Sequence, residues 1–124
     1  MRKIIAGILV FLTACNAGPD KGKCISGDCE NGVGIRSWND GGYEKGTWRN
    51  GNLHGEAYQF FGSTSEFAGD TYTGGFKDYV REGYGVYFDV SEGATFTGYW
   101  KNGKPNGFGK INFAPDSKFP DQYY

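Results

Sequence analysis

Proline is scarce in this 124-residue chain, with 4 residues, and there is 1 His. So few prolines, with no glycine at every third position, exclude a collagen-like triple helix. A single histidine, His54, leaves no base-and-nucleophile constellation of the kind hydrolytic catalysis uses. Neither sign of charge dominates, since 13 Lys and Arg face 14 Asp and Glu. That balance gives no basic footprint for nucleic acid and no polybasic cluster for an anionic membrane surface. No apolar run approaches the roughly 20 residues that a membrane-spanning helix needs. What the chain does have is glycine, 22 residues, and aromatics, with 3 Trp, 9 Tyr and 10 Phe. Interior glycine costs a helix about 1 kcal/mol relative to alanine, so long helices are excluded. The aromatic content excludes plain disorder. A turn-rich all-β domain in which rings do most of the burying is the expectation.

The N-terminus reads as an address. Arg2 and Lys3 precede an apolar run over 4–14 that ends Leu12-Thr13-Ala14-Cys15. A basic start, a short apolar stretch and small residues before the cut have the form of a secretory signal peptide. The four residues Leu12 to Cys15 resemble the lipobox of bacterial lipoproteins. That resemblance implies cleavage before Cys15, a diacylglycerol thioether on its thiol and usually an acylated amine. Each buried CH₂ adds about 0.8 kcal/mol, and two or more chains make a stable anchor. An ordinary signal peptide with a chance Cys15 is the alternative. Asn16 stands where Asp favours inner-membrane retention in many bacteria, so the resemblance favours the outer membrane of the envelope. Residues 15–23 then form a lipidated, flexible tether, 24–113 the folded domain and 114–124 a tail. Without Arg2 and Lys3 the charge falls to −3.

With Cys15 lipidated, Cys24 and Cys29 remain as an even pair. In an exported protein a disulfide is the default, and Ser26-Gly27-Asp28 between them is good turn chemistry. Free thiols are the alternative. A metal pair is disfavoured, because zinc wants four ligands and only distant His54 could join.

Residues 46–57, 74–85 and 98–109 are copies of one pattern. Gly46, Gly74 and Gly98 lead; Trp48, Phe76 and Trp100 follow by two; Gly55, Gly83 and Gly107 follow by nine; Ala57, Gly85 and Gly109 close each copy. Tyr72 and Phe96 precede the leading Gly by two, where the first copy has Glu44, with Tyr43 one position early. A half copy, Asn31-Gly32-Val33-Gly34, lies upstream. Asn50-Gly51 and Asn102-Gly103 suit two-residue type I′ hairpin turns, so each copy is a hairpin, and stacked hairpins stabilise one another. By strand alternation Phe96, Gly98 and Trp100 share a face, as do Gly107, Gly109, Ile111 and Phe113. Glycine opposite a ring lets that ring lie flat. Uneven spacing places an insertion, read as a polar loop, over 62–70.

The pattern resembles the MORN repeat, roughly Tyr-x-Gly-x-Trp-x-x-Gly-x-x-His-Gly-x-Gly with a period of about 23 residues. The resemblance covers most of 30–113 and implies a single elongated antiparallel meander of tandem hairpins. His54 stands in the family's His slot, Glu82 and Asn106 in the later copies, and a structural role near a hairpin follows.

The opposite sheet face carries Tyr58, Phe60, Tyr84, Val86, Phe88, Tyr99 and Phe108, with Thr97, Lys77 and Lys110. Either the insertion or the aromatic tail around Phe119, Tyr123 and Tyr124 covers it, or it is a partner surface. Tyr58, Phe60, Tyr84, Phe88 and Phe108 are the expected contacts. The resemblances together imply a lipid-anchored, non-catalytic binding or scaffold module at the bacterial envelope, engaging an envelope protein or a second copy of itself. Direct binding of membrane phospholipid by the repeats is the alternative, against which the charge of −3 counts. No enzyme activity, cofactor, metal, small-molecule substrate or nucleic acid is expected.

Overall fold

The computed structural model of the chain describes residues 21–114 and 122–123. Cys15, the leader, Phe119 and Tyr124 lie outside the described residues. Nine antiparallel strands cross one sheet in chain order. They are β1 (Lys23–Gly27), β2 (Val33–Ser37), β3 (Tyr43–Arg49), β4 (Asn52–Phe60), β5 (Thr71–Lys77), β6 (Val80–Asp89), β7 (Ala94–Lys101), β8 (Lys104–Asn112) and β9 (Gln122–Tyr123). This is the expected all-β meander.

The hairpin turns follow their sequence. Asn50 and Gly51 have φ of 51° and 77°, and Asn102 and Gly103 have 54° and 78°. Asp78 and Tyr79 adopt the same left-handed pair, at 47° and 72°, although a tyrosine is disfavoured there. The second residue of each turn also ties its hairpin to the one before. Gly51, Tyr79 and Gly103 donate their N–H to the carbonyls of Glu30, Leu53 and Arg81 at 3.0, 2.9 and 3.1 Å.

Each hairpin contains a bulge that strand alternation does not reveal. In β3–β4, Gly46 pairs with Ala57 and Trp48 with Leu53, so Thr47 faces His54, Gly55 and Glu56. The same step recurs in β5–β6 and in β7–β8. Gly55, Gly83 and Gly107 sit in it at φ of 99°, 84° and 87°, which explains the middle glycine of the pattern. Gly107 is therefore exposed in the bulge and leaves the face on which Gly109 and Ile111 lie.

Inside the curve of strands runs a seam of small residues. Gly34, Gly46, Ala57, Gly74, Gly85, Gly98 and Gly109 pair in succession from β2 to β8. Rings from the next cross-strand row lie over it. Tyr72 is fully buried, and its ring rests where a Cβ on Gly85 would stand. Trp100 packs on Tyr72 and Phe96 at centroid distances of 5.3 and 5.1 Å. Its indole N–H donates to the Gly85 carbonyl at 3.3 Å, as that of Trp48 does to Gly34 at 3.0 Å. Phe76 holds the same slot without an N–H. Trp100→Phe is expected to cost about 2 kcal/mol, because the indole hydrogen bond is lost and the smaller ring leaves core space unfilled; thermal unfolding of the variant measures it.

The ring row changes character at β3 and β4, where it reads Glu44 and Gln59 before Tyr72, Tyr87, Phe96 and Ile111. Glu44 is buried and accepts hydrogen bonds from the Tyr79 hydroxyl and the Gln59 side-chain amide. Arg81, 1 % exposed, donates to Gln59 Oε1 at 3.2 Å. Its guanidinium lies 4.6 Å from the Tyr72 ring centroid and 5.1 Å from that of Tyr87, a geometry in which the ring faces attract the cation. Burial pushes the Glu44 carboxyl up to about 7, against the pull of those two hydrogen bonds and of Arg36 and Arg81. The glutamate in a ring slot is thus part of a buried polar bridge joining the β3–β4 and β5–β6 hairpins. It also accounts for Tyr79, whose left-handed backbone aims its hydroxyl at Glu44 and its ring edge-on at Trp48, 6.2 Å away.

Candidate binding face

The insertion decides which face stays open. Asp40 pins its start, accepting from the Thr64 hydroxyl at 2.8 Å and from Gly42 N–H at 3.0 Å. Those bonds, the one from Gly42 first, hold its carboxyl below the usual range. Asp70 pins its end, accepting from the Tyr87 hydroxyl at 2.6 Å and from Val90 N–H at 3.0 Å. Phe67 is buried in the loop and packs on Phe61, which packs on Tyr87. Tyr87 belongs to the inner ring row, so the insertion covers the inner face rather than the outer one. The expectation of a purely polar loop missed Phe67, whose flanking Ser, Glu and Gly hide it in a composition count.

On the outer face the five expected contacts separate into two groups. Tyr58 and Phe60 are half-buried on β4. Tyr43 joins them, 5.6 Å from Tyr58 and stacked 5.7 Å from Phe60. The sequence pattern has Tyr43 one position ahead of the slot that Glu44 fills. Strand parity puts it outside, one residue from Glu44, and that parity was the available signal. Burial, then the neighbouring Tyr43, raises the Tyr58 phenol above its ordinary value. The second group spans β6 to β8. Tyr84 and Tyr99 are cross-strand partners with centroids 5.7 Å apart, each 55 % exposed, and Phe108 is 86 % exposed beside them. Phe88 lies between the groups, in the row Phe60, Thr71, Phe88. Thr71 and Thr73 of β5 therefore separate the two groups.

Next to the first group the outer face is dished. An open depression of about 550 Å³ is lined by Val33, Tyr43, Lys45, Glu56, Tyr58 and Thr73, over the bare backbone of Gly46.

At the edge of the sheet Cys24 and Cys29 are joined as a disulfide, with Cα atoms 5.8 Å apart. Arg36 donates to the Cys29 carbonyl at 3.2 Å and stacks over Trp48, its carbon 4.8 Å from the ring centroid. His54 accepts the Asp78 backbone N–H at Nδ1, 3.3 Å away. It brackets one hairpin to the next turn, which is a structural use of the slot. Among the described residues no group of three or more His, Cys, Asp or Glu could hold a metal ion.

Residues 30–43, 45–57, 72–91 and 96–117, more than half of the chain, match the family model of the MORN repeat. The chain belongs to the MORN-repeat family. Four segments match, the first of them around the half copy at 31–34. MORN repeats are generally protein- or membrane-binding modules rather than enzymes. The MORN pattern here is explained residue by residue: leading Gly in the seam, Trp over it, middle Gly in the bulge. No curated protein matches the chain.

Proposed function

We propose that this protein is a non-catalytic MORN binding or scaffold module, held at the bacterial envelope by lipid on Cys15, that docks a protein partner through its outer face. The observation that supports this most is the cluster of Tyr84, Tyr99 and Phe108. These three are the most exposed rings among the described residues, at 55 %, 55 % and 86 %. Aromatic anchors of this kind carry most of the energy of protein interfaces. The leader ending in Leu12-Thr13-Ala14-Cys15 supports the anchor, with Asn16 favouring the outer membrane.

Two measurements test the reading. Intact mass of the detergent-extracted full chain is expected to show loss of residues 1–14 and acyl chains on Cys15; an unmodified Cys15 or a retained leader would refute the anchor. Cross-linking in envelopes is expected to capture a partner, with the yield falling at least about tenfold when Tyr84, Tyr99 and Phe108 become alanine. An undiminished yield removes the proposed face. Direct phospholipid binding is the competing reading, and flotation of a Cys15→Ser chain with vesicles would favour it.

A further inference from the structure

The depression on β3 to β5 differs in kind from the exposed cluster on β6 to β8. Its wall is formed by Tyr43 and Tyr58, in contact at 5.6 Å with ring planes 39° apart. Its floor is the strand backbone at Gly46 and Ala57. Its remaining polar groups are Lys45, Glu56 and Thr73. We propose that this depression is a binding site for a neutral, hydroxyl-rich ligand, a saccharide unit of a glycan, stacked on Tyr43 and Tyr58 and held at its hydroxyls by Lys45, Glu56 and Thr73.

Charge supports this first. One cation and one anion line the depression, so the site selects neither a phosphate nor a cationic ligand by net charge. Hydrogen-bond chemistry supports it next. The Lys45 ammonium only donates, the Glu56 carboxylate only accepts, and the hydroxyls of Thr73 and the two phenols do both. Adjacent hydroxyls of a sugar ring are donors and acceptors together, and match such a mixed set. A hydrocarbon chain would leave Lys45 and Glu56 desolvated without partners. The rings supply the remaining attraction. Aromatic faces carry negative quadrupole charge, and the C–H bonds on one side of a pyranose present weakly positive hydrogens to them. The size fits as well, since about 550 Å³ lies within the usual range of roughly 300–1,000 Å³ for ligand sites. The depression is open along the sheet, which admits a unit within a longer chain. Tyr43 packs on Tyr58 and on Phe60, so little of its side-chain freedom remains to be lost on binding.

The proposal goes beyond the protein-docking role and does not depend on it, because the depression is lined from β2 to β5 and the exposed cluster lies on β6 to β8. The test uses the full chain in a zwitterionic detergent without a sugar headgroup, titrated with three neutral tetrasaccharides: chitotetraose, cellotetraose and maltotetraose. Chemical-shift changes confined to β3–β5 with at least one of them are expected, with dissociation constants below about 10 mM. Tyr58→Ala is expected to weaken binding about tenfold or more, a loss of one stacking ring. Lys45→Gln with Glu56→Gln leaves the packing rings in place and is expected to weaken it several-fold, which keeps the test decisive if Tyr58→Ala unfolds. The triple alanine variant of Tyr84, Tyr99 and Phe108 is expected to bind unchanged. No shift with any of the three sugars, an affinity left unchanged by the Lys45 and Glu56 replacements, or shifts centred on Tyr84 would overturn the assignment.

Discussion

Gly85→Ala is expected to lower the stability of the domain by about 3 kcal/mol, the upper part of the usual cost of overpacking a core. A Cβ at this position would lie 2.6 Å from Cε2 and Cζ of the Tyr72 ring. That ring cannot retreat. Trp100 and Phe76 press on it at 5.3 and 5.2 Å, Arg81 lies over its face, and its hydroxyl donates to the Gly75 carbonyl at 3.2 Å. Gly107→Ala is the informative control. It meets nothing within 4 Å but has φ of 87°, so only backbone strain of about 1 kcal/mol is added. Denaturant unfolding of both variants separates the two causes. Equal losses would show that crowding at Gly85 costs no more than backbone strain at Gly107, and so that the seam does not need the room.

Glu44→Gln is expected to make stability less dependent on pH, with the largest gain over the parent above pH 7. The carboxyl has its pKa near 7 in the fold, against an ordinary value of 4.5. Protonated Glu44 is therefore the form the fold prefers. Its contribution is fully present below about pH 4.5 and is lost as pH rises, because the unfolded chain ionises first. By pH 8 the loss reaches about 3 kcal/mol, from the rule that one pKa unit is 1.36 kcal/mol. Glutamine keeps the shape of the protonated acid. It can donate to the Tyr79 oxygen and accept from Gln59. Unfolding free energies at pH 5 and pH 8 are expected to differ less for Glu44→Gln than for the parent by about that amount. Asp28 acts in the opposite sense, since the backbone N–H groups of Asn31 and Glu30 hold its carboxyl below the usual range. Its stabilising bonds are lost only as pH falls below about 4, outside the comparison. An unchanged difference between the two pH values would place the charge elsewhere.

The fold was legible because its units are local. Asn-Gly pairs specify the turns, glycines and rings two apart specify the inner face, and repetition specifies the stacking. What the sequence hid was non-local. Parity alone assigns Gly107 to the inner face, and only the three-to-one bulge removes it. Glu44 looks like a degraded copy of a tyrosine until its cross-strand partner Gln59 and, from the next hairpin, Tyr79 and Arg81 are assembled around it. Of the binding face, the ring positions on β4, β6 and β8 were readable by alternation, since each strand is regular beyond its bulge. Their division into two groups was not, because it depends on β5 presenting Thr71 and Thr73 between them. The direction in which the insertion folds was also hidden, since it is set by Asp40, Asp70 and the burial of Phe67.

The stitches from each turn to the preceding hairpin run in one direction along the sheet. Gly51, Tyr79 and Gly103 each hold to the unit on their N-terminal side, and the first strands are clamped further by the bond between Cys24 and Cys29. Among the described residues the last hairpin is followed only by the short β9, which pairs with Lys110 and Ile111. Fraying therefore starts at the C-terminal end and travels backwards one hairpin at a time. Amide exchange is expected to be fastest over 104–109 and slowest around Tyr72 and Tyr87, a gradient that a uniformly cooperative sheet would not show.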